Sequence, residues 1–163
     1  LLLALLPATV RSDEARTRYF EQLRQRGLFS LAEGEALSRL AADDLSLAAR
    51  TDFTIELSKS LSEHAGYVPD EQRNDLWQRA RETVQDLITQ ERSNPGLILL
   101  VGQLAAVEVT EGDWLRMERM LRPFDEALLR QGQEACTAAI TRLKLVENKL
   151  AVAPRESDAK KGG

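Results

Sequence analysis

The sequence predicts an all-α protein of antiparallel helical hairpins ending in a long C-terminal helix. Three observations carry that prediction. Leu, Ala, Glu, Gln and Arg, all good helix formers, dominate every segment of the 163 residues. Nine Gly and five Pro are few for a sheet protein built on tight turns. Apolar residues recur at spacings of three and four along most of the chain, the period of a helix with one buried face.

The opening segment, Leu1-Leu2-Leu3-Ala4-Leu5-Leu6-Pro7-Ala8-Thr9-Val10-Arg11-Ser12, is set apart from this pattern. Its apolar run is about half of the roughly 20 residues that a membrane-spanning helix requires. It fits the apolar region of a signal peptide, with Val10 and Ser12 at the small-residue positions before a cleavage site ahead of Asp13, although Arg11 between them fits poorly. Residues 1–12 are therefore expected to be a signal-peptide remnant, the alternative being a hydrophobic first helix packed on the core. The expected location is periplasmic or extracellular, with the cytoplasm as alternative and no stable membrane insertion once the signal is removed.

Residues 13–27 read as the first helix, with Tyr19, Phe20 and Leu23 as apolar positions and Gly27 as its end. Phe29, Ala32, Ala36 and Leu40 make the stripe of a second helix finishing near Asp43 and Asp44. Two helices joined at a single Gly lie antiparallel. Ser46 is the expected N-cap of a third, in which Phe53, Leu57, Leu61 and Ala65 form a stripe beside Ile55, with Gly66 as the residue after its C-cap. A fourth helix over about 70–92 carries Trp77, Ala80, Val84 and Leu87 on one face. In the cluster Ser93-Asn94-Pro95-Gly96, Asn94 can cap and Pro95 can take a first helical position.

Residues 97–109 are apolar nearly all round and read as a central, fully packed helix. Glu111-Gly112-Asp113 then reads as a turn, with Asp113 as N-cap of a helix bearing Trp114, Met117 and Leu121. Pro123 is expected to kink that helix or to start a new one over 123–153. Along it Leu128, Ala135, Ala139, Leu143, Val146 and Leu150 keep a three-four spacing that weakens at Gln131-Gly132. Residues 154–163 read as a disordered polar tail.

The stretch Gly27-Leu28-Phe29-Ser30-Leu31-Ala32-Glu33 through Asp44 resembles the second half of a tetratricopeptide repeat. It has a Gly at the turn, a small Ala five residues later where two helices touch, and another Ala four beyond. Leu76-Trp77-Gln78-Arg79-Ala80-Arg81, with Val84 and Leu87, repeats the register and ends in Asn94-Pro95. A weaker third match is Glu111-Gly112-Asp113-Trp114-Leu115, with Arg116-Met117 where the Ala belongs. Ala32 and Ala80 stand 48 positions apart, against the roughly 34 of a regular repeat, and the aromatic positions of each first helix are mostly missing. The resemblance is thus to a divergent tetratricopeptide-like array over residues 13–122, of the kind that opens an exported bacterial repeat protein. It implies that the hairpins stack as a tetratricopeptide-like α-solenoid serving as a protein-binding scaffold, of which this chain would be an N-terminal piece.

Composition narrows the chemistry. One Cys and one His leave no disulfide framework, no cysteine-ligated zinc site and no multi-histidine metal site, and a net charge of −4 gives no steering toward nucleic acid. Cys136 has no neighbouring His to activate it and reads as a small core residue, while His64 reads as a partner of its helix C-terminus or a solvated side chain. No phosphate-binding glycine loop or nucleophile elbow is present. The chain is therefore expected to be non-enzymatic, to need no cofactor or metal, and to bind another protein or peptide.

Tyr19 and Trp114 are the candidate aromatic contacts, Trp77 being better placed for the core. Arg116, Arg119 and Arg122 recur every three residues and could form a ridge for a carboxylate-bearing peptide, the alternative being a solvated face balanced by Glu118. Two other readings remain at this stage. The chain could be a structural oligomeriser through a coiled coil of its last helix, or the helical accessory domain of a larger enzyme.

Overall fold

The computed structural model describes residues 8–121 and 126–152. It is helical throughout: α1 (Ala8–Gln25), α2 (Phe29–Leu40), α3 (Leu47–His64), a 3₁₀ turn (Ala65–Tyr67), α4 (Asp70–Gln90), α5 (Leu97–Leu121) and α6 (Glu126–Val152). Among the described residues there is no strand. The chain divides into two compact units at 96/97, whereas the sequence boundary was expected at 122/123. α5 therefore belongs with α6 and not with the helices before it. No described helix is long and apolar enough to cross a membrane. The signal-peptide segment lies outside the described residues over 1–7, while from Ala8 onward it is part of α1, which starts earlier than Asp13. Pro123 and the tail 154–163 also lie outside the described residues.

In the N-terminal unit α3 is the central helix, packed against α2, α4 and α1. Its buried apolar residues, Leu57, Leu61 and, just beyond its end, Ala65, meet Phe20 and Leu23 of α1, Phe29, Ala32 and Ala36 of α2, and Leu76, Trp77, Ala80, Val84 and Leu87 of α4 in one core. Phe53 is half-buried, edge-on to Phe20 with ring centres 6.2 Å apart, and the Arg16 guanidinium lies 5.2 Å from its ring centre. Trp77 is fully enclosed, so its place on the α4 stripe is a core place.

A helix covered on several sides should be apolar all round, yet α3 also buries Thr51, Thr54, Glu56, Ser58, Ser60 and Ser62. The serine hydroxyls, and that of Thr51 on the Leu47 carbonyl at 2.9 Å, are satisfied within the protein. Ser58 Oγ donates to the Ala80 carbonyl of α4 at 3.0 Å, and Ser60 and Ser62 donate to carbonyls of their own helix. Short side chains let α4 approach closely, and their back-bonds remove the desolvation cost that a buried hydroxyl otherwise carries.

Helix ends follow local chemistry. Gly27 has φ +71° and closes α1 in a Schellman motif, with Gly27 N–H on the Arg24 carbonyl and Leu28 N–H on the Leu23 carbonyl, both at 2.9 Å. Ser46 caps α3 by accepting from Ala49 N–H at 3.2 Å. Gly66 does follow the C-cap, Ala65, as expected, but it takes no left-handed backbone: the chain leaves α3 through the 3₁₀ turn, and Gly27 is the sole glycine with positive φ among the described residues. Arg73 of α4 holds this exit, its guanidinium donating to the Ala65 and Val68 carbonyls at 3.0 and 2.9 Å. Asn94 does act as a turn cap, accepting from Gly96 N–H at 2.7 Å while its amide donates to Thr51 Oγ1 at 2.8 Å.

The C-terminal unit is a two-helix hairpin. The expected turn at Glu111-Gly112-Asp113 is absent, and α5 runs unbroken for 25 residues through it. Gly112 is there for packing. A methyl group on it would lie 2.7 Å from Cys136 Sγ and 3.3 Å from both the Cys136 nitrogen and the Gly132 carbonyl oxygen. Cys136 is half-buried at this crossing, where the backbones of α5 and α6 come together, and the apparent gap at Gly132 is the other half of it. Gly112 opposite Cys136, Leu115 opposite Gly132 and an ion pair between Glu108 and Arg142 fix the two helices as antiparallel. Leu100, Leu104, Val107, Leu115 and Ala139 are buried, whereas Leu143 of the expected α6 seam is exposed.

The two glycines of α5 should therefore respond oppositely to substitution. Gly102 has no atom within 4 Å of an added methyl, so Gly102→Ala is expected to stabilise by up to about 1 kcal/mol through helix propensity. Gly112→Leu, in the same helix, is expected to cost about 2 kcal/mol or more by forcing the backbones apart. Urea denaturation followed by circular dichroism measures both.

Candidate functional site: a charged groove in the N-terminal unit

Thr17, Glu21, Arg24 and Gln25 stand at positions i, i+4, i+7 and i+8 of α1 and so share one face. Lys59 and Glu63 stand one turn apart on α3. Together with Phe29 at the start of α2 and Tyr67 in the 3₁₀ turn, they line an open groove of about 550 Å³.

Beside the groove Arg24 Nη1 meets Glu56 Oε2 at 2.6 Å, with only 6% and 5% of these side chains exposed. Arg24 Nε also reaches Glu63 Oε1 at 3.2 Å, and Lys59 Nζ reaches Glu56 Oε1 at 3.4 Å. Glu21 accepts a hydrogen bond from Gln25 at 3.1 Å. Three carboxylates thus share the space with two cations. Burial pushes the Glu63 carboxyl above its ordinary range; Arg24 and Lys59 pull it down, and Glu56 and Glu21 push it further up.

The aromatic end of the groove is a stack. Phe29 lies against the His64 imidazole, with ring centres 5.1 Å apart and planes within 11°, and against Tyr67 at 4.9 Å. His64 is neither solvated nor simply a partner of its helix end: its Nδ1 lies 2.7 Å from Glu33 Oε1, tying α3 to α2. Tyr67 is 77% exposed, so its ring forms an open rim. Among the described residues no group of three or more His, Cys, Asp or Glu side chains is placed to hold a metal ion.

No family model, curated protein or solved structure matches the chain.

The residues singled out in the sequence fall elsewhere. Tyr19 is half-exposed on α1, its ring edge-on to Phe20 at 5.5 Å, and does not line the groove. Trp114, Arg116 and Arg119 belong to α5 in the C-terminal unit. Trp114 is half-buried, and Arg116 is exposed with its guanidinium engaged by Asp113 of the preceding turn. Arg119 is exposed, and Arg122 lies outside the described residues. The groove residues carried a sequence signal of their own. Arg24 follows Phe20 and Leu23 in the buried register of α1, and Glu56 adjoins Leu57 in that of α3. Opposite charges at two core registers are the mark of a buried ion pair.

Two outcomes are expected. Glu56→Ala should cost about 3 kcal/mol, because removing one partner leaves the other charge buried, and the bond that Arg24 keeps to Glu63 holds the loss at the low end. The pH dependence follows from the raised Glu63 value. A carboxyl that titrates higher in the folded than in the unfolded state favours folding while protonated, and that advantage disappears as pH rises from about 4.5 through the folded value. Relative to Glu63→Gln, the wild type should therefore lose stability as pH is raised from 4 to 7. Denaturation midpoints of both proteins across that range measure it, and a relative gain by the wild type would contradict it.

Proposed function

We propose that the chain is a non-enzymatic protein-interaction module that seats a segment of another protein in the groove of the N-terminal unit. The observation that carries this reading is the groove itself: open, walled by helices held through the Arg24–Glu56 pair, and ended by an exposed tyrosine ring. Peptide segments, extended or helical, are the ligands that open grooves between helices commonly seat. On this reading the module is of tetratricopeptide-like type, exported, and free of cofactor and nucleic acid. The tetratricopeptide-like part of it is supported by the complete burial of Ala32 and Ala80 and by the left-handed Gly27 turn between α1 and α2. The third repeat match has lost its footing, since its turn residues lie inside α5.

Display selection of random peptides against the full chain tests the reading. Selected peptides should bind with micromolar affinity and lose about tenfold against Tyr67→Ala, the loss typical of truncating an aromatic anchor. Peptides that bind the variant as tightly as the wild type would remove the groove as the recognition surface.

A second reading rests on α5. Leu99, Val109, Met117 and Met120 are exposed and share one face of the helix with Ala106, a stripe suited to pairing with a second copy of the chain. Light scattering distinguishes the two readings. A dimer that dissociates on Met117→Lys and Met120→Lys supports self-association, and a monomer at all concentrations dismisses it.

A further inference from the structure

We infer that the groove selects a cationic side chain of the bound segment, arginine ahead of lysine, seated between the Glu21 and Glu63 carboxylates and the ring of Tyr67. This inference rests on the interaction-module reading and names the chemistry of its ligand.

The cations of the groove are already spent within the protein. Arg24 is almost wholly buried and divides its donors between Glu56 and Glu63, and Lys59 is turned to Glu56. An anionic ligand would therefore find its two natural partners engaged and would face Glu21 and Glu63 across a space of about 550 Å³. An aliphatic ligand would meet Thr17, Glu21, Gln25, Lys59 and Glu63, walls that gain nothing from apolar contact. A cation supplies what the groove lacks.

Glu63 is the focus. Its side chain is about half exposed (48%), so it borders the open space while Arg24 holds one of its oxygens. Burial is the main cause of its raised titration; Glu56 and Glu21 add to it, and that excess of carboxylates over Arg24 and Lys59 is what an incoming positive charge would relieve. Tyr67 adds shape to charge. Its ring, backed by Phe29 at 4.9 Å, offers a fixed face on which a planar guanidinium can stack while its N–H groups reach a carboxylate. An ammonium would gain the charge term without the stacking, hence the preference for arginine. Lys59 opposes either cation, and its bond to Glu56 draws that charge to the α3 side.

The test uses the ¹⁵N-labelled full chain and acetyl-Gly-Ala-Xaa-Ala-Gly-amide peptides with Arg, Lys, Gln or Glu at the centre, read by amide chemical-shift titration. The arginine peptide is expected to give saturable shifts over residues 17–25 and 59–67, with an affinity about fivefold or more above the glutamine peptide, followed by lysine. The glutamate peptide should give none. Glu63→Gln should weaken the arginine peptide about fivefold, and Tyr67→Ala should abolish the preference of arginine over lysine. If the glutamine or glutamate peptide shifts the same residues as strongly, or if Glu63→Gln leaves arginine binding unchanged, the cationic selection is wrong while the groove stays a recognition surface. If no peptide shifts those residues, the groove reading and this inference fall together.

Discussion

A guanidinium buried as deeply as that of Arg24 cannot be left to itself, because taking an unpaired charge out of water costs several kcal/mol. The N-terminal unit meets this constraint by bringing Glu56 of α3 to 2.6 Å, across 32 positions of sequence. Much else depends on that pairing. It fixes the rotation of α1 about its axis, which turns Phe20 and Leu23 into the core and places Thr17, Glu21 and Gln25 along the groove. It also draws on Glu63 and Lys59, so that the groove wall and the buried pair form one electrostatic network. The pair's value lies in orientation more than in net stability, since hydrophobic residues of similar volume could serve stability as well.

The same network explains why α3 is so polar for a central helix. Its apolar stripe of Leu57 and Leu61, with Ala65 just beyond its end, covers only part of a circumference that touches three other helices. The remainder is filled by residues whose polar atoms are satisfied locally: serines bonded to carbonyls, Thr51 bonded both to Leu47 and to Asn94, and Glu56 bonded to Arg24. Close helix approach and satisfied polarity are therefore one solution to one problem. The cost is that α3 carries few large apolar groups, so the core depends on the aromatic residues contributed by its neighbours, Phe20, Phe29 and Trp77.

How much of this was legible in the sequence depends on whether the signal was local. The helical class, the α2 and α4 stripes, the Ser46 cap and the Gly27 stop all rest on residues within a few positions of one another, and each stands in the structure where the spacing put it. Gly66 follows the α3 C-cap as its position suggested but without a left-handed backbone, and the turn expected at Gly112 is absent. A glycine is used wherever a side chain cannot be, and sequence alone does not say whether the obstacle is a left-handed backbone or a neighbouring helix. At Gly66 the exit of the chain is held by Arg73, seven positions on. At Gly112 the obstacle was Cys136 on another helix.

The groove was the least legible part because its members are ordinary surface types one at a time. Glu21, Gln25, Lys59 and Glu63 are what any solvated helix face contains, and only their arrangement around a buried pair gives them a common purpose. The arginines of α5 were conspicuous for the opposite reason, a regular spacing of like charges along one stretch of sequence. Arg116 shows why spacing alone misleads: its guanidinium is engaged by Asp113 one turn earlier, an i,i+3 pair of the kind that stabilises a helix surface and asks nothing of a partner. Charge that is neutralised within its own helix is spent on folding. The surplus carboxylate that remains beside Arg24 and Lys59, after their partners are assigned, is what makes the groove the better candidate for binding.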